Sequence, residues 1–209
     1  MPENRMLKTV AAMVLVGLAL SAQDGPAPEA ERFLPLGGPV LPRYRLEVGQ
    51  ELVYLTQGGP VEDSVIRLLV GDESPDGGWS VAVIAAAGAR FRAELPPDGR
   101  VARGLPGFLP PLPADAEEAV GGWTAADPAA EYRLAGIDPR DECLLAISET
   151  RAGGISATVL FDTALGLAVY REELAGGRVA ATMLEEVRYL GPEELDSTWQ
   201  RLATAGEGE

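Results

Sequence analysis

Between Tyr44 and Leu190, short apolar runs alternate with clusters of turn-forming residues. Gly-Gly doublets stand at 58–59, 77–78, 121–122, 153–154 and 176–177, each beside a run holding Val, Ile, Leu or an aromatic. Glycine reaches positive φ without a Cβ clash, and tight hairpin turns need that conformation. Short strands separated in this way predict an all-β, antiparallel fold: a curved sheet or open half-barrel. The runs place strands at 45–57, 61–70, 79–87, 89–95, 100–103, 122–126, 131–136, 143–150, 155–161, 166–174 and 178–190. In the last, period two puts Val179, Ala181, Met183, Val187 and Tyr189 on one face and Arg178, Glu186 and Arg188 on the other. Leu184 and Leu190 blur that alternation. The run Val81–Ala87 has no polar face, which fits a strand buried on both sides or a helical segment.

The stretch "ATVLFDTALGLAVYREE" (157–173) tests the fold class. A helix here would carry Gly166 in its interior, at a cost of roughly 1 kcal/mol relative to alanine. It would also carry β-branched Thr158, Val159, Thr163 and Val169. A hairpin uses the same residues well. Asp162 opens the turn, Gly166 closes it, and "ATVLF" pairs with "LAVYRE".

A similar strand–turn–strand figure occurs at 89–103, "ARFRAELPPDGRVAR", so the β-domain 44–190 reads as two candidate repeats, 44–103 and 118–190. Between them "GLPGFLPPLPADAEEAVGG" (104–122) is rich in proline. Proline has no N–H for a central strand, so this segment predicts a connection crossing one end of the sheet. Residues 23–43 form a Pro/Gly-rich linker in which Phe33 and Leu34 are able to pack on the body. In 191–209, Pro192 followed by acids predicts a short helix through about Ala203, with Leu195, Trp199 and Leu202 on one face, and then an acidic tail.

The first residues change the setting. Arg5 and Lys8, the apolar run Val10–Leu20 and the small residues after it form the three-part pattern of a secretory signal peptide over 1–22. The run is shorter than the ~20 residues of a membrane-spanning helix. The expectation is export, periplasmic or secreted, with cleavage after Ser21 or Ala22 and no stable membrane span afterwards. An uncleaved N-terminal anchor is the alternative.

Composition then narrows the chemistry. The chain has no histidine, and Lys8 is its only lysine. Beyond the signal there is neither an imidazole for general-base or zinc chemistry nor an amine for a Schiff base. The expectation is a non-catalytic protein without a cofactor. Formal charge is −15, which disfavours nucleic acid and anionic lipid as partners. Cys143 is the single cysteine, so no intramolecular disulfide forms. It reads as a small buried hydrophobe, with an intermolecular disulfide or reactive thiol as alternatives.

Four groups of residues are candidate sites. Asp72, Ser74 and Asp76 before Gly77 match the start of a calcium loop, but position twelve is Val83 instead of the distal glutamate. A polar hairpin turn explains the same residues. Asp138, Asp141 and Glu142 near Arg140 could act as paired carboxylates, or form an Asp-Pro turn. No serine lies in a Gly-x-Ser-x-Gly setting and no glycine loop is followed by the lysine of a phosphate site. Trp79 and Trp123 each follow a Gly-Gly pair. They begin strands and either pack in the core or line an apolar pocket, which Tyr54, Phe91, Phe161 and Tyr170 would complete.

The signals occur in a particular order: a proline linker, "Y-x-L-x-x-G-x-x-x-x-Y" (44–54), the proline crossing, "G-G-W", and "L-F-D-x-x-x-G-L" (160–167). In this the chain resembles families of secreted bacterial β proteins that are similar to the periplasmic lipoprotein-carrier half-barrel. That resemblance implies a curved antiparallel sheet whose concave face takes lipid or peptide. It transfers no binding residues. Two functions are expected from residues and resemblance together. One is an exported binding protein holding an apolar small molecule or acyl chain on the concave face. The other is a cell-envelope structural or interaction protein with a filled core and a protein partner.

Overall fold

The structure, a computed structural model, describes residues 32–58, 64–84, 90–96, 108–126, 129–152, 155–175 and 177–205. The signal segment 1–22, the candidate strand 100–103 and the doublet 153–154 lie outside the described residues.

Ten strands form one antiparallel sheet: β1 (Gln50–Gln57), β2 (Ser64–Glu73), β3 (Trp79–Ile84), β4 (Arg90–Leu95), β5 (Trp123–Ala126), β6 (Ala129–Asp138), β7 (Asp141–Arg151), β8 (Ile155–Asp162), β9 (Leu167–Ala175) and β10 (Arg178–Tyr189). Among the described residues, helices α1 (Ala116–Gly121) and α2 (Pro192–Ala205) accompany them. The order across the sheet is β4-β3-β2-β1-β10-β9-β8-β7-β6-β5. A meander β1–β4 is thus joined to a meander β5–β10 by the pairing of β1 with β10. Among the described residues β4 and β5 do not pair, and the sheet is not closed into a barrel.

Turn chemistry places the strands. In 157–173 the hairpin forms: Asp162 Oδ1 accepts from the N–H groups of Ala164 (2.8 Å) and Leu165 (2.9 Å). Gly166 sits at φ 68° and donates to the Asp162 carbonyl at 2.8 Å. A β-carbon there would lie 2.5 Å from Arg45 Cβ, so the turn needs glycine for space as well as for φ. Gly58, Gly77, Gly122 and Gly177 of the doublets also have positive φ.

One face of the sheet, called inner here, carries Leu52, Tyr54, Leu68, Val83, Ile147, Val159 and Phe161 in the main core. On the outer face Leu69 and Ala82 form a second cluster with Ile84, Leu190, Leu195 and Trp199. This resolves the uniformly apolar run at 81–84. It is a strand, and α2 covers the side that the main core does not.

The period-two reading of β10 is corrected by a bulge. Val53 pairs with Glu186 but Tyr54 pairs with Leu184, so Glu185 is the extra residue. Val179, Ala181 and Met183 face outward, while Val187 lies on the inner face opposite Leu52. The bulge is also why Leu184, which blurs the alternation, is buried.

Candidate functional site

The described part of the crossing segment, from residue 108, does not pass over one end of the sheet. It lies on the inner face, where Phe108, Leu109 and Leu112 are buried in the main core. Its sequence explains how a loop can be buried. Pro110, Pro111 and Pro113 have no N–H to satisfy, so only their carbonyls need partners. Each carbonyl meets a side chain. Tyr44 Oη donates to Pro110 O at 2.7 Å, and Trp123 Nε1 donates to Pro111 O at 3.0 Å. Arg43 donates to Pro113 O at 2.5 Å and to Ala114 O at 2.6 Å. The segment then ends in α1, which the sequence reading omits. Asp115 caps it by accepting from Glu117 N and Glu118 N, and Glu118 reaches back to Ala114 N at 2.7 Å. This Asp-x-x-Glu capping box was a readable signal for the helix.

The six pocket candidates divide accordingly. Tyr54 packs against Phe108 with ring centroids 4.2 Å apart, and Phe161 against Tyr44 at 5.5 Å. Trp123 stacks on Tyr132 at 5.9 Å. These three face the inner side, and the chain's own residues occupy their surroundings. Trp79 is partly buried against the same core, opposite Leu95. Phe91 stands opposite Val83 in the β3–β4 register. Tyr170 faces the other way: it pairs with Leu160 and Met183 on the outer side, and its hydroxyl donates to Glu172 at 3.2 Å. Burial first, then the Glu172 charge, pushes its ionisation well up. Tyr170 thus lies on the face of the sheet opposite Tyr54, Phe161 and Trp123.

The other candidates form turns. The Ser74 hydroxyl donates to Asp76, and Ser74 and Gly78 close the loop through Ser74 N to Gly78 O at 2.8 Å. The Ser74 hydroxyl bond is the first cause holding the Asp76 carboxyl below its usual value. Asp72 is exposed on β2. Asp138 is 2% exposed and accepts from Arg140 Nε at 2.9 Å and Nη2 at 2.6 Å. Burial alone would raise its carboxyl; the Arg140 bonds outweigh this and hold it low. Among the described residues no group of His, Cys, Asp and Glu is arranged to hold a metal. Cys143 is partly buried, and burial first, then Asp141 and Asp162, pushes its thiol up, away from the reactive thiolate.

Sequence reasoning missed two features. The first is a buried ion cluster on the inner face. Arg171 of β9 donates to Glu149 of β7 at 2.5 Å and to Glu173 at 2.7 Å, and Arg151 pairs with the other Glu149 oxygen. The bridge passes over β8 at Ala157, which pairs with both Glu149 and Glu173; its small side chain leaves the space. Burial would lower the Arg171 guanidinium, but the two carboxylates prevail and raise it. Two acids and two bases neutralise one another here, so the cluster ties β7 to β9 across the sheet.

The second is the arrangement of the outer face. Leu69 and α2 lie at one end. Next comes an ionic belt in which Glu51, 3% exposed, meets Arg67 and Arg188, and Arg188 also binds Glu186 at 2.6 Å. Beyond the belt, on the same face, Val65 pairs with Leu55, and Val179 pairs with Leu174. Val65 (43%), Leu174 (38%) and Val179 (49%) are exposed, with Leu55 and Ala181 partly buried between them. Alternation along β10 carried part of this signal. The strands that lie beside it did not show in one dimension.

No family model and no curated protein matches the chain. Solved structures give distant likenesses. The crystal structure of MucB in complex with MucA(peri) matches at 12% identity and TM-score 0.40, over 70% of this chain and 53% of that one. The complex of Pseudomonas aeruginosa MucA/MucB gives 13% and 0.40, over 70% and 54%. MucB alone gives 13% and 0.39, over 70% and 56%. The chain thus spans a little over half the length of those proteins. At these TM-scores the likeness assigns neither a ligand nor a partner. Among the described residues no helix is long and apolar enough to cross a membrane.

Proposed function

We propose that the chain is a non-catalytic exported protein of the cell envelope that binds a protein partner and fills its own interior. The observation that supports this is the seating of residues 108–113 on the inner face, where Tyr44, Trp123 and Arg43 satisfy the carbonyls of Pro110, Pro111 and Pro113. The side chains that would line an apolar ligand site already have partners in the chain. Displacing the segment would remove Phe108 from Tyr54 and strip the buried Tyr44 and Trp123 and the half-buried Arg43 of their bonds, so an apolar ligand on this face has less support.

Among the described residues, one apolar surface still available is the outer strip of Val65, Leu55, Ala181, Val179 and Leu174. Contiguous apolar surface on a strongly acidic chain favours association with another protein over staying in water. The test uses the full chain as bait in an envelope extract, with Val179→Glu as the comparison, and titrates a fluorescent fatty-acid probe. A partner captured by the native chain and lost with Val179→Glu, at an unchanged melting temperature, is the expected result. Displaceable probe binding at low micromolar concentration would overturn the reading in favour of ligand carriage.

A further inference from the structure

The two ends of the outer apolar strip match each other. Val65 of β2 and Leu55 of β1 stand at one end, Val179 of β10 and Leu174 of β9 at the other, with Ala181 of β10 between them. Neighbouring strands lie about 4.8 Å apart, so the strip crosses roughly 15 Å of sheet. Its end residues are exposed, and the ionic belt separates it from the apolar cluster of α2.

The charges beside the strip are placed in a matching way. Arg67 is two residues from Val65, and Glu172 is two residues from Leu174. β2 and β9 run antiparallel, so both steps lead to the same side of the strip, toward the belt. The Arg67 side chain is 45% exposed and that of Glu172 is 22% exposed. One end thus carries a cation and the other an anion. Three acids meet three arginines in this region: Glu51 pairs with Arg67 and Arg188, Glu186 with Arg188, and Glu172 with Arg32. A chain of formal charge −15 therefore balances its charges beside its exposed apolar strip.

We propose that the strip is the contact between two copies of this chain, related by a two-fold axis that lies in the interface and crosses the strip at Ala181. A two-fold contact needs a patch that complements itself. This axis turns the Val65 end of one copy onto the Leu174 end of the other and keeps the charged side on the same side. Arg67 of each copy then comes within reach of Glu172 of the other, and the two ion pairs form twice over. A basic partner would find no unbalanced acid here to favour it. The acids elsewhere on two such chains are screened over about 8 Å at physiological salt, so they do not forbid the contact. The proposal rests on the strip being a protein-binding surface and names its occupant. Five side chains make a small contact, so the dimer is a weak one.

Sedimentation equilibrium of the full chain tests it. The expected result is a monomer–dimer equilibrium with a midpoint of about 10–100 μM. Val179→Glu and Leu174→Glu should each weaken it at least about tenfold, at an unchanged melting temperature. Under mild oxidation an equimolar mixture of Val65→Cys and Leu174→Cys chains should form cross-linked dimers faster than either variant alone, with the native chain showing the background from Cys143. A native chain that stays monomeric up to about 1 mM would overturn the proposal. So would a dimer that Val179→Glu leaves intact, since its contact lies elsewhere, or cysteine variants that cross-link no faster mixed than alone. A monomeric chain that still captures an envelope partner, lost with Val179→Glu, would refute the second copy and leave the protein-binding role standing.

Discussion

The Tyr54 hydroxyl donates to the main-chain carbonyl of Ala168 across 2.9 Å. Tyr54 is on β1 and Ala168 on β9, with β10 between them in the sheet. The β9–β10 register ends at Tyr170 and Met183, so the ladder does not extend to Ala168. A β-bulge between Leu160 and Phe161 shifts the β8–β9 pairing at the same level. A side chain from the first meander therefore reaches past β10 and satisfies a buried carbonyl of the second, beyond the end of the β9–β10 ladder.

Tyr54→Phe keeps the ring against Phe108 and removes only that donor. It leaves the Ala168 carbonyl buried without this bond, and the expected loss of stability is about 1–3 kcal/mol. Urea unfolding measures it. An unchanged midpoint would show that the two meanders are held by β1–β10 pairing alone.

The Glu149–Arg171 pair gives a second expectation. Both residues are buried, at 2% and 5% exposure. Arg171→Met leaves Glu149 and Glu173 with reduced compensation and should cost about 3–5 kcal/mol. Glu149→Leu combined with Arg171→Met replaces the central pair by apolar groups, and should recover most of that loss. A double-mutant cycle on unfolding free energies checks it. Additive costs would mean that the two charges do not interact.

A third expectation concerns alkaline pH. Tyr132 is pushed up to about 12, chiefly by burial and then by the Glu149 charge. Tyr44 and Tyr54 are raised chiefly by burial as well. Tyrosinate is the charged form, so above the ordinary value of 10.0 the folded chain binds these protons more tightly than the unfolded chain does. The stability present below pH 10 should therefore be lost as pH rises from there through about 12. Tyrosinate absorbance and far-ultraviolet dichroism, followed together, should change in one step. Phenols that ionise near pH 10 with the sheet intact would contradict the burial described here.

Particular residues show how far the sequence could be read. The hairpin at 157–173 was legible because its turn is local: Asp162 and Gly166 satisfy one another's main chain within five residues. The start of α2 was legible for the same reason, from Pro192 and the acids that follow it. The bulge at Glu185 was not. It depends on which residues of β1 stand opposite, and one extra residue inverts the alternation beyond it. The crossing segment was misplaced because its prolines exclude a strand but do not say where a non-strand must lie. That was decided by Arg43, Tyr44 and Trp123, residues distant in sequence whose donors meet its carbonyls.

By itself, the order of apolar runs and glycines determined that this chain forms antiparallel strands with a terminal helix, since alternation and turn geometry act between near neighbours. Tertiary structure alone decided which face is filled, which apolar side chains remain exposed, and that the buried Glu149 and Arg171 meet each other and the half-buried Arg151 and Glu173. Those outcomes depend on strands and a loop far apart in the chain competing for one surface, and the winner is the arrangement that leaves the fewest buried polar groups without a partner.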